Sequence, residues 1–160
     1  MAGMSGVQTA ALIFGGYNPT LTDSSERFNG STWSTVSGGT LSAIKLNLGS
    51  SGIQNAALTF GGQISGGPLT NVTEKFNGAT WSTTGALPSN RQGKRGVGPQ
   101  NTTLSFGGDD GAGAGNAQTE AHRFDGSVWI AVNNMNTAKK YPTSAGTLNA
   151  ALCPGGNLSL

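Results

Sequence analysis

The chain has 160 residues, a formal net charge of +2 and only 10% charged side chains, too little positive charge for a broad nucleic-acid surface. Its single cysteine, Cys153, excludes an intramolecular disulfide and a cysteine-based metal cage, and no apolar run reaches the roughly 18 residues of a membrane helix. Glycine is abundant, at 27 residues, but the apolar runs are regularly spaced, which argues for a turn-rich fold and against disorder.

Taken in order, the chain first presents an apolar run closed by two glycines, Ala10-Ala11-Leu12-Ile13-Phe14-Gly15-Gly16. The run returns as Ala56-Ala57-Leu58-Thr59-Phe60-Gly61-Gly62, as Thr102-Thr103-Leu104-Ser105-Phe106-Gly107-Gly108 and as Ala150-Ala151-Leu152-Cys153-Pro154-Gly155-Gly156. The first glycines stand at 15, 61, 107 and 155, so the spacings are 46, 46 and 48. A fixed period of this size marks a repeat architecture. A further glycine (Gly6, Gly52, Gly98, Gly146) lies eight residues before Phe14, Phe60, Phe106 and Pro154. A second anchor reads Glu26-Arg27-Phe28-Asn29-Gly30-Ser31-Thr32-Trp33, then Glu74-Lys75-Phe76-Asn77-Gly78-Ala79-Thr80-Trp81, then His122-Arg123-Phe124-Asp125-Gly126-Ser127-Val128-Trp129. The tryptophans are 48 residues apart.

These anchors predict strands. Asn29-Gly30, Asn77-Gly78 and Asp125-Gly126 are the dipeptides favoured in two-residue type I′ hairpins. A double glycine ends a strand where the backbone turns sharply or packs closely. No stretch carries sustained helical periodicity with caps. The predicted inner strands fall near 43–50, 93–98 and 140–146, with a short version at 1–6. The double-glycine strands fall near 8–14, 54–60, 101–106 and 148–153, and the third strands near 23–28, 71–76 and 118–124. The outer, Trp-bearing strands fall near 32–36, 80–84 and 128–132. The chain thus reads as one all-β domain over 1–160: a four-stranded antiparallel unit at about 1–42, 43–92 and 93–139, then a partial unit at 140–160. Loops of varying length (Tyr17–Thr22, Gln63–Thr70, Asp109–Ala117; Ser37–Ser42, Gly85–Gln92, Asn133–Lys139) separate the anchors. Such loops on a fixed scaffold are where binding usually resides. The N-terminal segment Met1–Gly6 lacks the charged and apolar regions of a signal peptide and reads as a true start. Four N-glycosylation patterns, at Asn29, Asn71, Asn101 and Asn157, therefore carry little weight.

A double glycine after an apolar strand, then an acidic-basic-aromatic-Asn-Gly segment, then Trp, resembles the kelch repeat over residues 5–156. The Gly/Asn/Thr-rich form is similar to kelch-like repeats of bacteriophage and environmental bacterial proteins. The resemblance implies that each unit is one blade of a β-propeller. About three blades and a terminal fragment form an open arc, because closed propellers use about four to eight. The expected remedy is homodimerisation, two chains completing a ring of six or seven blades, with the strand near 140–146 supplying the innermost strand of the partner's first blade. The other expectation is that the chain is a piece of a longer product. Departures from the pattern are Pro154 at a Phe position and His122 at a Glu position.

Galactose oxidase carries a copper enzyme on kelch-type blades, but its site needs several His and Tyr ligands and a Cys–Tyr crosslink. This chain has one histidine, His122, two tyrosines, Tyr17 and Tyr141, and Cys153 in a strand. No nucleophile elbow or triad spacing is present. Asp109-Asp110-Gly111 reads as a turn, since calcium wants about six to eight oxygens. Glu26 and Glu74 read as partners of neighbouring blades, the recurring tryptophans as packing, and Cys153 as a small buried side chain. No catalytic, cofactor-binding or metal-ligating residue is expected, and no ligand-binding residue is assigned. The resemblance implies a non-enzymatic structural and binding module of a phage virion (a capsid decoration, tail or fibre part) docking on particle proteins or host-surface glycans. The alternative is a soluble bacterial lectin-like or protein-binding module, cytoplasmic or extracellular. Neither involves nucleic acid or membrane insertion.

Overall fold

The computed structural model describes residues 1–18, 20–112 and 116–157. These residues are all β, with no helix long and apolar enough to cross a membrane. The first sheet hydrogen-bonds Gly3–Val7, Ala10–Phe14, Ser25–Phe28 and Trp33–Thr35 in that order. The second runs Gly49–Ile53, Ala56–Phe60, Thr73–Phe76, Trp81–Thr84, and the third Arg95–Val97, Leu104–Phe106, Ala121–Phe124, Trp129–Val132. A two-stranded hairpin, Ala145–Thr147 with Ala150–Leu152, follows. All pairings are antiparallel. The innermost strands of consecutive sheets lie side by side, so the sheets stand in a row with neighbouring faces in contact.

Several expectations move. The inner strand of the second sheet is Gly49–Ile53 and not 43–50; Lys45–Leu46 pair instead with Gln63–Ile64 of the following loop. The reason is steric. Inner strands crowd their neighbours: a Cβ on Gly49 would come within 2.2 Å of the Phe60 ring, and one on Gly96 would sit 2.9 Å from the Ser50 carbonyl. Small residues therefore mark these strands. The hairpin's inner strand likewise lies at Ala145–Thr147, later than 140–146. The first sheet has its own five-residue inner strand, Gly3–Val7, so a partner's 140–146 segment is not needed there.

The Asn-Gly turns are not type I′. Gly30, Gly78 and Gly126 have φ of +97°, +97° and +103°, but Asn29, Asn77 and Asp125 are not among the positive-φ residues. Phe28 pairs with Trp33, Phe76 with Trp81 and Phe124 with Trp129, which leaves four residues in each connection. The first side chain of each loop does the turning: Asn29 Oδ1 accepts the amides of Ser31 and Thr32 at 3.0 and 2.9 Å, and Asn77 and Asp125 repeat the pattern.

The double glycine joins one sheet to the next. Gly15, Gly61 and Gly107 donate to the loop carbonyls of Ser24, Val72 and Glu120 within their own units. Gly16, Gly62 and Gly108 donate at 2.7–2.9 Å to Lys45, Arg91 and Lys139, which lead into the following sheet. Both glycines of each pair have φ between +61° and +114°. A parallel line of hydrogen bonds runs across the units: Asn47 N–H to Met1 C=O, Gly93 N–H to Asn47 C=O, and Tyr141 N–H to Gly93 C=O, at 2.9, 2.9 and 3.0 Å. Asn47, Gly93 and Tyr141 all take positive φ there.

Gly61→Ala is expected to destabilise the chain by more than about 2 kcal/mol, because it adds left-handed strain and drives Cβ into the Arg91 carbonyl. Gly66→Ala, at φ +66° with nothing within 4 Å of its Cβ, should cost about 1 kcal/mol. Denaturant midpoints of the two variants check the difference.

Candidate functional site

A four-stranded sheet of three- to five-residue strands exposes two faces, and what covers each face decides what this row of sheets can do. Strand alternation sends Leu12 and Phe14 of the first sheet, and Leu58 and Phe60 of the second, toward the following sheet. Into that surface the following sheet inserts its outer-strand tryptophan. Trp81 meets Phe14 edge-on at 4.7 Å between ring centroids and lies 5.0 Å from its own Phe76. Its Nε1–H donates to Ser25 Oγ at 3.0 Å. Trp129 repeats this on the second sheet: Phe60 at 4.9 Å, Phe124 at 5.0 Å, and Nε1–H to Thr73 Oγ1 at 2.9 Å. Each indole, Trp129 buried and Trp81 half-buried, thus has both an apolar bed and a hydrogen-bond acceptor.

Two further contacts recur at each joint. Gln54 Nε2 donates to the carbonyls of Ala11 and Phe28 in the preceding sheet, and Gln100 Nε2 to those of Ala57 and Phe76. Arg27 reaches forward to the Gly78 carbonyl at 2.5 Å, and Lys75 to that of Gly126 at 3.4 Å. The glutamines escaped the sequence reading although Gln8, Gln54 and Gln100 repeat at 46 residues.

The joint is open at both ends of the row. Trp33 stacks on its own Phe28 at 5.2 Å and is 49% exposed; Gln8 and Glu26 beside it are exposed. At the other end Leu104, Phe106, Ala121, Val132, Met135 and Cys153 line a cavity of about 380 Å³ between the third sheet and the hairpin. This is the third sheet's equivalent of the indole bed, and Ala121 stands where Ser25 and Thr73 accept the indole N–H. Cys153 is half-buried there, and burial pushes its thiol up. Leu152, on the hairpin face turned away from the cavity, is 67% exposed.

The buried charged groups sit between sheets. Glu74 and Lys45 form a buried ion pair, and Glu74 also accepts the Ser42 amide at 2.8 Å. Glu26, at the same repeat position, is exposed. At the second joint His122 replaces Glu74, Arg91 replaces Lys45, and Lys94 stands where the preceding repeat has Leu48. Arg91 turns to Glu120 at 2.5 Å. Burial raises the Glu120 carboxyl, but Arg91 outweighs it and leaves the carboxyl below its usual range. Lys94 is 1% exposed and donates to the Gly107 carbonyl at 2.8 Å. Burial brings its pKa down to about 8. Burial first, and the Lys94 charge second, lower His122; among the described residues neither its buried Nδ1 nor Ser105 Oγ on the adjacent strand has a hydrogen-bond partner.

The innermost strands border an open groove of about 900 Å³. Arg95 lines it but donates to the carbonyls of Leu48 and Lys94. Asp109 and Asp110 receive the amides of Gly111 and Ala112 at 2.7 and 3.1 Å, as a turn does, and Asp109 lies 3.6 Å from Lys140. Among the described residues no three His, Cys, Asp or Glu side chains converge to hold a metal ion. Pro19 of the first loop, residues 113–115 of the longest loop, and Leu158 and Ser159 of the last glycosylation pattern lie outside the described residues. No protein-family model and no curated protein matches the chain.

Trp129→Ala should cost about 3–5 kcal/mol, as for a buried aromatic that leaves a cavity, whereas Trp33→Ala should cost about 1 kcal/mol or less in the isolated chain. Chemical denaturation followed by far-UV circular dichroism separates the two. Lys94 titrates near pH 8 when folded and near 10.5 ordinarily. Between these values the unfolded chain binds more protons, so stability rises with pH across that window. Lys94→Leu, which restores the residue of the preceding repeat, is expected to stabilise the chain below pH 8 and to flatten this rise.

Proposed function

We propose that the protein is a non-enzymatic structural and binding module: a kelch-like β-propeller arc of three blades and a partial fourth, completed to a six- or seven-bladed ring by a second copy. One observation carries this reading. The same tryptophan joint recurs between consecutive sheets and stands open at both ends of the row, with Trp33 exposed at one and Leu152 at the other. Open apolar faces of this kind drive association. The Gly/Asn/Thr-rich repeat style supports a place in a phage virion, as a capsid decoration, tail or fibre component. There the variable loops dock on particle proteins or host-surface glycans.

The second reading is a soluble lectin-like or protein-binding module of a bacterium. Tyr17, 71% exposed in the first variable loop, favours it, because an exposed aromatic suits stacking on a sugar ring. Light scattering of the purified chain should give twice 16.1 kDa, and a clean monomer would count against the ring. Mass spectrometry of purified particles should find the chain in the virion; its absence there, with glycan binding that Tyr17→Ala abolishes, would establish the second reading.

A further inference from the structure

The two ends of the row are chemically complementary, and the internal joints show how. At each internal joint the later sheet contributes a tryptophan and a glutamine, Trp81 with Gln54 and Trp129 with Gln100. The earlier sheet contributes a leucine and an aromatic ring on its second strand, and the carbonyl of the residue before that leucine: Leu12, Phe14 and Ala11 C=O, then Leu58, Phe60 and Ala57 C=O. The unpaired face of the first sheet carries the later-sheet set, Trp33 and Gln8, both exposed. The hairpin carries the earlier-sheet set at the same repeat positions, Leu152, Pro154 and Ala151 C=O, and these three residues are exposed. Its Ala151 and Cys153 side chains turn to the third sheet and line the cavity there, so Leu152 and Pro154 face outward in the direction Leu12 and Phe14 take.

We infer that these ends are the two halves of one intermolecular joint, and that the occupant of each is a second copy of the chain docked head to tail. The inference rests on the reading above that copies complete one another. Trp33 of one copy lies on Leu152 and Pro154 of the next, and Gln8 caps the Ala151 carbonyl. The proline ring replaces phenylalanine as the apolar bed, and the indole N–H, with no hydroxyl equivalent to Ser25, stays at the solvent edge. The inner strand Gly3–Val7 then takes its place beside Ala145–Thr147, as Gly49–Ile53 lies beside Gly3–Val7 within one chain. The hairpin need not move, because it occupies the last position of one copy and the first sheet of the other follows it; a ring closed by two copies then holds six four-stranded sheets with a two-stranded hairpin at each intermolecular joint. The contact is heterologous, so it closes a ring where the rotation between copies permits and extends a filament where it does not.

Sedimentation velocity on the full chain, with Trp33→Ala and Leu152→Glu, tests this; both positions are exposed, and far-UV circular dichroism verifies that each variant is folded. The wild type is expected to self-associate, and each substitution to weaken that by about 30-fold, the loss typical of a hot-spot tryptophan. An equimolar mixture should associate more tightly than either variant alone, since one retains an intact head and the other an intact tail. A mixture no tighter than its components overturns the head-to-tail joint, as does Leu152→Glu associating like the wild type. Association unmoved by either substitution overturns the joint but leaves the closure reading standing. A monomeric wild type overturns both.

Discussion

Each indole at an internal joint belongs to two sheets at once. A sheet of four short strands cannot bury its faces by itself, and the strands are too short for their own ladders to compensate. Trp81 grows from the outer strand of one sheet, packs on the second strand of the preceding sheet and hydrogen-bonds to its third. One side chain therefore positions an edge of one sheet against the middle of another. The glutamine and the double glycine make the same kind of link with backbone groups. Gln54 caps two carbonyls of the preceding sheet, and Gly16 donates to the segment that begins the next unit. Apolar contact and hydrogen bonding thus act across the same seam, and the loops after the outer strands send Leu41 and Leu87 into it.

The two internal seams solve the problem of buried charge differently. The first buries one cation and one carboxylate in direct contact, Lys45 with Glu74. The second substitutes at three linked positions: histidine for the glutamate, arginine for the lysine, lysine for a leucine. It then recruits Glu120, two residues before the histidine, to hold the arginine. A second buried cation, Lys94, is left with a carbonyl as its acceptor. Its lowered pKa is the cost of desolvating a charge that no carboxylate neutralises directly. His122 resists protonation first because burial desolvates its charged form, and second because a further positive charge would face Lys94.

What was legible in the sequence was what side-chain identity encodes. The double glycines, the Phe-Asn-Gly-x-x-Trp segments and the glycines at 6, 52, 98 and 146 recur as residues, and they placed the double-glycine, third and outer strands. The inner strands were placed less well because they are built of Gly and Ser, chosen for close approach and carrying no alternating apolar signal. The turn type was misjudged because Asn-Gly was read through backbone preference, whereas Asn29 and its equivalents act through the side-chain oxygen. The left-handed site at 47, 93 and 141 was invisible for a further reason: asparagine, glycine and tyrosine occupy one backbone conformation, so the repeat persists in φ and is lost in residue type. Of the candidate site, the tryptophans were recognised as packing elements. The open seams at the two ends were not located, since exposure depends on which neighbour is present.

Those three left-handed residues carry the line of amides from Tyr141 to Gly93 to Asn47 to Met1. Every N–H in that line points back toward the first sheet and every C=O points forward, so the peptide dipoles add instead of cancelling. The row of sheets therefore has a polarity, as an α-helix does: its amides point toward the first sheet and its carbonyls toward the hairpin. Tyrosine tolerates the left-handed conformation poorly, at a cost of about 1–2 kcal/mol, yet Tyr141 holds it at φ +53° and keeps the line unbroken into the last unit. Two such rows laid like end to like end would set their dipoles in opposition. Only when they run in the same sense do the dipoles of one row add to those of the next.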